Sequence, residues 1–199
     1  RARGSRQGVL DCGRGREAMA TRVVLTYKDY EALPADGRRY ELHEGELSVT
    51  PAPSPRHQEV SLNLGVVLHN YVKTRGLGKV LAAPIDCILS DTTIVQPDIV
   101  HIEPARLPAI SPRGIEGAPT LVVEILSPST TQIDRSVKFQ LYARHGVPYY
   151  WIVDHDARGI EAYRLAEGTY LLSGRLGGSE AVSLPPFPDL ALVPSSIWP

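Results

Sequence analysis

Cysteine is almost absent. Cys12 and Cys87 are the only two, and they form no CxxC pair. Neither a disulfide framework nor a cysteine-rich zinc site can be built from them. Aromatic residues are also scarce, at 7% of the 199-residue chain. No cluster of them marks a sugar-stacking cleft, which argues against a carboxylate-pair hydrolase acting on sugars. No apolar run approaches the roughly 20 residues that cross a bilayer. The arginine-bearing start, RARGSRQGVLDCGRGREA, has no apolar core of the secretory kind. The expectation is a cytoplasmic protein without a membrane partner. A large excess of one charge is missing too, with 21 Lys and Arg against 22 Asp and Glu. The split is uneven: residues 1–18 carry five arginines against two acids, and the body is mildly acidic. Such a body is unlike a non-specific nucleic-acid binder, but it is compatible with an enzyme whose own site is acidic.

What is present suits one globular domain, since hydrophobic residues make up 43% of the chain. Residues 1–18 read as a disordered or spurious basic extension. Residues 19–199, from the single methionine Met19, read as one domain. A short helix is expected over Thr26–Leu33, capped by Thr26. A hairpin follows, with strands Arg38–Leu42 and Glu46–Thr50 around His43-Glu44-Gly45. Ser54 can cap a long helix with Pro55 in its first turn. Val60, Leu64, Val67, Leu68, Tyr71 and Val72 give that helix a broad apolar face, and Gly76 and Gly78 end it.

Strands are then expected at Lys79–Ala83, Ile85–Leu89 and Ile94–Ile102, with a proline-rich loop over 103–119. Leu121–Leu126 is a nearly unbroken apolar strand. A helix over Ile133–His145 should bury Ile133, Val137 and Leu141, and Gly146 and Pro148 stop it. Three more strands fit Tyr149–Asp154, Gly159–Leu165 and Thr169–Ser173, with Tyr149, Tyr150 and Trp151 as core. The end of the chain has too much proline for a central strand. The fold class expected is α/β or α+β, a mixed β-sheet flanked by helices.

The chemistry lies in two carboxylates within strands that otherwise look buried. In TTIVQPDIVHI apolar residues occupy both faces, and Asp98 shares the face of Ile94 and Val100. In LVVEIL, Glu124 shares the face of Val122 and Leu126, and every neighbour is apolar. An unpaired buried carboxylate costs several kcal/mol and needs a cation, a metal or a proton. One reading is structural: Glu124 pairs with Arg135 or Lys138. The other is a divalent cation shared by both carboxylates at one end of the sheet. Thr131 and Asp134 are spaced as a capping box, so the helix start after Glu124 offers free N–H groups to a phosphate.

The order Pro97-Asp98, then Glu124 in an apolar strand, resembles the PD-(D/E)XK nuclease superfamily. RYELHEGEL, PSPRHQEVSLNL, QPDIV, LVVEILSPSTTQIDRSVKFQLYARHGVPYYWIVD and GIEAYRL resemble the Uma-two family of restriction-endonuclease-like proteins, from about Leu25 to Leu172. The simplest superfamily motif would put lysine two residues after Glu124, where Leu126 stands. The resemblance implies that Lys138, on the next helix, supplies it; a solvated helix lysine is the other reading. It further implies DNA phosphodiester hydrolysis, with Asp98, Glu124 and the backbone carbonyl of Ile125 holding Mg²⁺ or Mn²⁺.

Glu41, in a matching word, is either an additional carboxylate of the site or an exposed strand residue. His57, bordering the long helix's apolar face, either bonds the site or simply packs. The remaining histidines have no metal-ligand spacing. A homodimer is the expectation by analogy with nucleases that cut both strands. A nuclease-like binding module without turnover is the competing function.

Overall fold

The computed structural model describes residues 23–199. The expectations for residues 1–18 and for a start at Met19 lie outside the described residues. Helix α1 (Tyr27–Glu31) is shorter than expected; its entry is fixed by the Asp29 carboxylate, which accepts from the Thr26 N–H and hydroxyl, both at 2.8 Å. Strands β1 (Arg39–His43) and β2 (Glu46–Thr50) form the hairpin. The turn is only Glu44-Gly45, both at positive φ, so His43 lies in the strand opposite Glu46. A two-residue turn with this backbone matches the strand twist.

Helix α2 (Pro55–Arg75) begins as expected, with Ser54 Oγ accepting from the His57 N–H, and it ends at left-handed Gly76. Val60, Leu64, Leu68, Tyr71 and Val72 are buried along one face. Each such side chain contributes about 1.5–3 kcal/mol of burial. The helix packs against β3 (Lys79–Ala82).

The expected strand Ile94–Ile102 is two strands. After β4 (Cys87–Ser90), β5 (Thr93–Val95) and β6 (Ile99–Ile102) belong to different sheets. The crossing is Gln96-Pro97-Asp98, where Pro97 has no N–H to continue a ladder. Asp98 therefore sits where the chain crosses between the sheets rather than on a strand face shared with Ile94. The expected loop over 103–119 also holds structure: a 3₁₀ turn at Pro104–Ala109, then strands β7 (Ile110–Ser111) and β8 (Gly114–Glu116).

Strand β9 (Leu121–Ile125) is buried throughout. The helix after it is not uniform: α3 (Thr131–Ile133) passes into a π turn (Asp134–Lys138) and then α4 (Phe139–Arg144). Strands β10 (Tyr149–Asp154), β11 (Gly159–Ala166) and β12 (Thr169–Leu176) make a meander, and β13 (Val182–Ser183) pairs with β14 (Ala191–Leu192). The proline-rich end folds back, burying Phe187, Ile197 and Trp198 in the core under α2.

The result is an α+β fold with two six-stranded mixed sheets, ordered β2-β1-β5-β4-β8-β7 and β12-β11-β10-β9-β6-β3. In β9, Leu121, Val123 and Ile125 face the α2 core, while Val122 and the following Leu126 face a second core with Tyr142 and Tyr150. Glu124 has the parity of Val122, so it points away from α2, toward the second core and Tyr142 of α4. No helix among the described residues is long and apolar enough to cross a membrane.

Candidate active site

Five elements bring their side chains to one cleft of about 180 Å³. β1 supplies Arg39 and Glu41, α2 supplies His57, and the crossing between sheets supplies Asp98. β9 supplies Glu124 and Ile125, and the π turn supplies Asp134 and Lys138. The sequence-predicted residues Glu41, His57, Asp98, Glu124 and Lys138 are thus brought together, and all are buried.

Lys138 Nζ donates to Glu124 Oε1 at 3.1 Å and to Glu41 Oε1 at 3.0 Å. Asp134 Oδ1 lies 3.7 Å from the same ammonium, an ionic contact too long for a hydrogen bond. Burial opposes the lysine's charge, but Glu124, Glu41 and Asp134 together raise Lys138 above its ordinary range. Its reach comes from the π turn. Of the expected buried stripe, Leu141 is buried and Ile133 half-buried, but Val137 is 42% exposed, and Asp134, Lys138 and Tyr142 face inward. A π turn takes more residues per turn than an α-helix, so it shifts the phase of whatever follows it.

Glu124 Oε1 also accepts from the Tyr142 hydroxyl at 2.6 Å. Oε2 has no hydrogen bond among the described residues. Burial, partly offset by Lys138, and the neighbouring Asp134, Asp98 and Glu41 push the Glu124 carboxyl up to about 8. Asp134 is raised as well, chiefly by burial. The structural pairing of Glu124 falls to Lys138; Arg135 instead donates to Glu161.

Asp98 is held differently. Oδ1 accepts from Arg39 at 3.2 Å; Oδ2 accepts from the Ile125 N–H at 2.8 Å and lies 3.1 Å from His57 Nε2. Burial works against ionisation, yet the His57 bond, Arg39 and the Ile125 amide lower the Asp98 pKa. His57 Nε2 is also 3.0 Å from the Ile125 carbonyl oxygen. Both neighbours only accept, so Nε2 carries the proton.

Glu41 is 3% exposed, which removes the reading of an ordinary surface glutamate. Oε1 accepts from the Gln96 N–H at 2.6 Å, and Oε2 lies 3.1 Å from His43 Nε2. Burial again opposes its charge, but Lys138 and His43 lower its pKa. The predicted Thr131–Asp134 capping box does not form. The Thr131 hydroxyl donates to the Ser127 carbonyl at 2.7 Å, and Asp134 turns toward Lys138.

Arg39 and Tyr142 were not among the residues expected at the site, and Asp134 was expected there only as part of a helix cap. A signal for two of them existed: Asp134, Lys138 and Tyr142 recur every fourth residue, one position along from the apolar stripe. Arg39 carried none, since its partner Asp98 is 59 residues away.

A family model described as "Uma2: Putative restriction endonuclease" matches residues 27–195. The chain belongs to the Uma2 family. No curated protein matches it. The Uma2 chain is also similar to a solved structure described as "a putative nuclease belonging to DUF820 from Anabaena variabilis ATCC 29413". The two are 22% identical, with a TM-score of 0.73, over 87% of this chain and 97% of that one. At that identity the likeness is one of fold. The cleft described above lies wholly within the span that the Uma2 model matches.

Proposed function

We propose that the chain is a divalent-metal-dependent endonuclease that hydrolyses DNA phosphodiester bonds. The observation that carries this reading is the uncompensated charge of the cleft. Glu41, Asp98, Glu124 and Asp134 face only Arg39 and Lys138 as fixed cations, which leaves two negative charges when all four acids are ionised. Burial first, and the neighbouring acids after it, raise the Glu124 and Asp134 carboxyls, so without a further cation both favour a proton. One divalent ion would meet it.

The donors fit a hard ion. Asp98, Glu124 and the Ile125 carbonyl are oxygen ligands, which suit Mg²⁺ or Mn²⁺. Among the described residues no three His, Cys, Asp or Glu side chains form a ligand set by themselves. A set of two carboxylates and one carbonyl suits Mg²⁺, which usually keeps several of its waters. When bound, such an ion polarises the scissile phosphate and lowers the pKa of the attacking water.

The chain's own residues do the rest. Lys138 stays an ammonium among its carboxylates, so it cannot act as the general base. It orients the attacking water and stabilises charge developing on the phosphate. Glu41 and Asp134 hold Lys138 at that position. Arg39, at the rim, is placed to meet a phosphate oxygen while orienting Asp98. Two copies would cut both strands of a duplex, and sedimentation of the full chain tests for that pair.

The test is cleavage of single-stranded, duplex and branched DNA with Mg²⁺ or Mn²⁺. Nicking that disappears in EDTA and in Asp98→Ala is expected. Stable DNA binding with no cleavage under any ion would replace the enzyme with a binding module.

A further inference from the structure

His57 Nε2 stands 3.1 Å from Asp98 Oδ2 and 3.0 Å from the Ile125 carbonyl oxygen. Those two oxygens belong to the proposed cation site. One imidazole N–H and one divalent ion cannot share the gap between the same two oxygens. We propose that His57 is an internal competitor for the metal: its N–H satisfies Asp98 and Ile125 when no ion is held, and the ring must yield these acceptors for an ion to bind. This rests on the metal-dependent reading above and assigns His57 a role opposite to that of a ligand.

Three observations support competition over ligation. First, Nε2 presents a proton, not a lone pair, to both oxygens. Second, a ligating histidine normally donates its other ring nitrogen to a carboxylate or carbonyl, which fixes its tautomer. His57 Nδ1 is buried without any partner among the described residues. Nothing there holds the tautomer that would turn an Nε2 lone pair toward an ion. Third, Asp98 Oδ2 keeps the Ile125 N–H at 2.8 Å and Oδ1 keeps Arg39 at 3.2 Å. The carboxylate is therefore already fixed in place without His57, which makes the imidazole bond the one that can be exchanged.

The competition is read by calorimetry of the full chain with Mg²⁺ and Mn²⁺. His57→Leu keeps much of the volume and removes the donor; His57→Gln keeps a donor. Losing a hydrogen bond to an ionised group is an effect on the scale of about 1.4 kcal/mol, a factor of ten in affinity. The Leu variant should bind the ions about tenfold more tightly, and the Gln variant should stay near the parent. A wild-type readout guards against a misfolded variant. Nitrogen-15 spectra of the histidine rings should show the His57 Nε2 resonance moving on Mg²⁺ titration, saturating with the calorimetric constant. Weaker or equal binding in a folded Leu variant, or an unmoved His57 resonance while the parent binds, overturns the competitor role and leaves the metal-dependent reading intact. If the parent binds neither ion, that reading itself fails, and the competitor role goes with it.

Discussion

Lys138 Nζ and Glu41 Oε1 are 3.0 Å apart across 97 residues of chain. The bond ties the π turn of one layer to the first hairpin of the other, with both partners buried. Removing one member of such a pair strands the other, at a cost of about 3–5 kcal/mol. Lys138→Met should therefore lower the unfolding free energy read from urea curves by an amount in that range, reduced by whatever proton the freed carboxylates take up. Adding Glu41→Gln to Lys138→Met should recover part of the loss, because the stranded acid is gone. A double variant no more stable than Lys138→Met would show that Glu41 is not the partner that matters.

Glu124 separates stability from activity. Its carboxyl is raised from 4.5 to about 8, by burial and by acidic neighbours. A raised acid favours the fold most below its unfolded value, and that contribution is lost as pH rises from about 4.5 through about 8. In Glu124→Gln the amide oxygen can still accept from Lys138 and Tyr142, and no buried charge remains to be formed. In EDTA at pH 8 this variant should unfold at or above the parent's temperature, and with Mg²⁺ its cleavage should fall by about 10³-fold or more. An inactive variant that is also clearly less stable would mean that the glutamate serves the fold rather than the chemistry.

How much of this was visible in the sequence depends on how far each partner lies along the chain. Glu124 stood out because a carboxylate in LVVEIL has no local reason to be there. Asp98 was found, but its setting was misread. Pro97 marks the place where one strand becomes two, and period-two alternation read straight through it. Lys138 was legible only through resemblance, since a helix of 3.6 residues per turn puts it beside the apolar stripe and not on it. The π turn breaks that period and exposes Val137. Glu41 stayed open between a site carboxylate and an exposed strand residue because only tertiary structure puts β1 between β2 and β5. The hairpin of β7 and β8 was hidden by Pro104 and Pro108, which lie in the 3₁₀ turn before it and not in its strands.

A pH effect away from the cleft follows from His101. Its Nε2 is 2.8 Å from the Leu77 carbonyl, its ring lies 5.0 Å from that of Phe187, and Nδ1 has no partner. Burial lowers its pKa below 6.5. The unfolded chain then takes up a proton more readily than the folded one. The stabilising effect is present above pH 6.5 and is lost as pH falls below that value. His101→Gln, which can still donate to Leu77, should show a flatter fall of the urea midpoint between pH 7 and pH 5. Parallel curves for parent and variant would remove His101 as a source of acid sensitivity.

The last prediction concerns the device that aims Lys138. The Tyr150 hydroxyl donates to the Asp134 carbonyl oxygen at 3.0 Å in the buried second core. Asp134 opens the π turn, where carbonyls fall out of the regular helical ladder. The tyrosine therefore pins the turn from β10, on the far side of the aromatic cluster. Tyr150→Phe keeps the ring against Tyr142 and Phe139 and removes only that bond. The stability cost should be modest, about 1 kcal/mol. The effect on cleavage should be larger than that cost implies for a folded enzyme, about tenfold in rate with little change in KM, because Lys138 is held through the same turn. Hydrogen exchange should quicken at the amides of 135–139 and stay unchanged in β9. If exchange quickens there and the rate does not fall, the lysine is positioned by its carboxylates alone, and the π turn is an incidental feature of the helix.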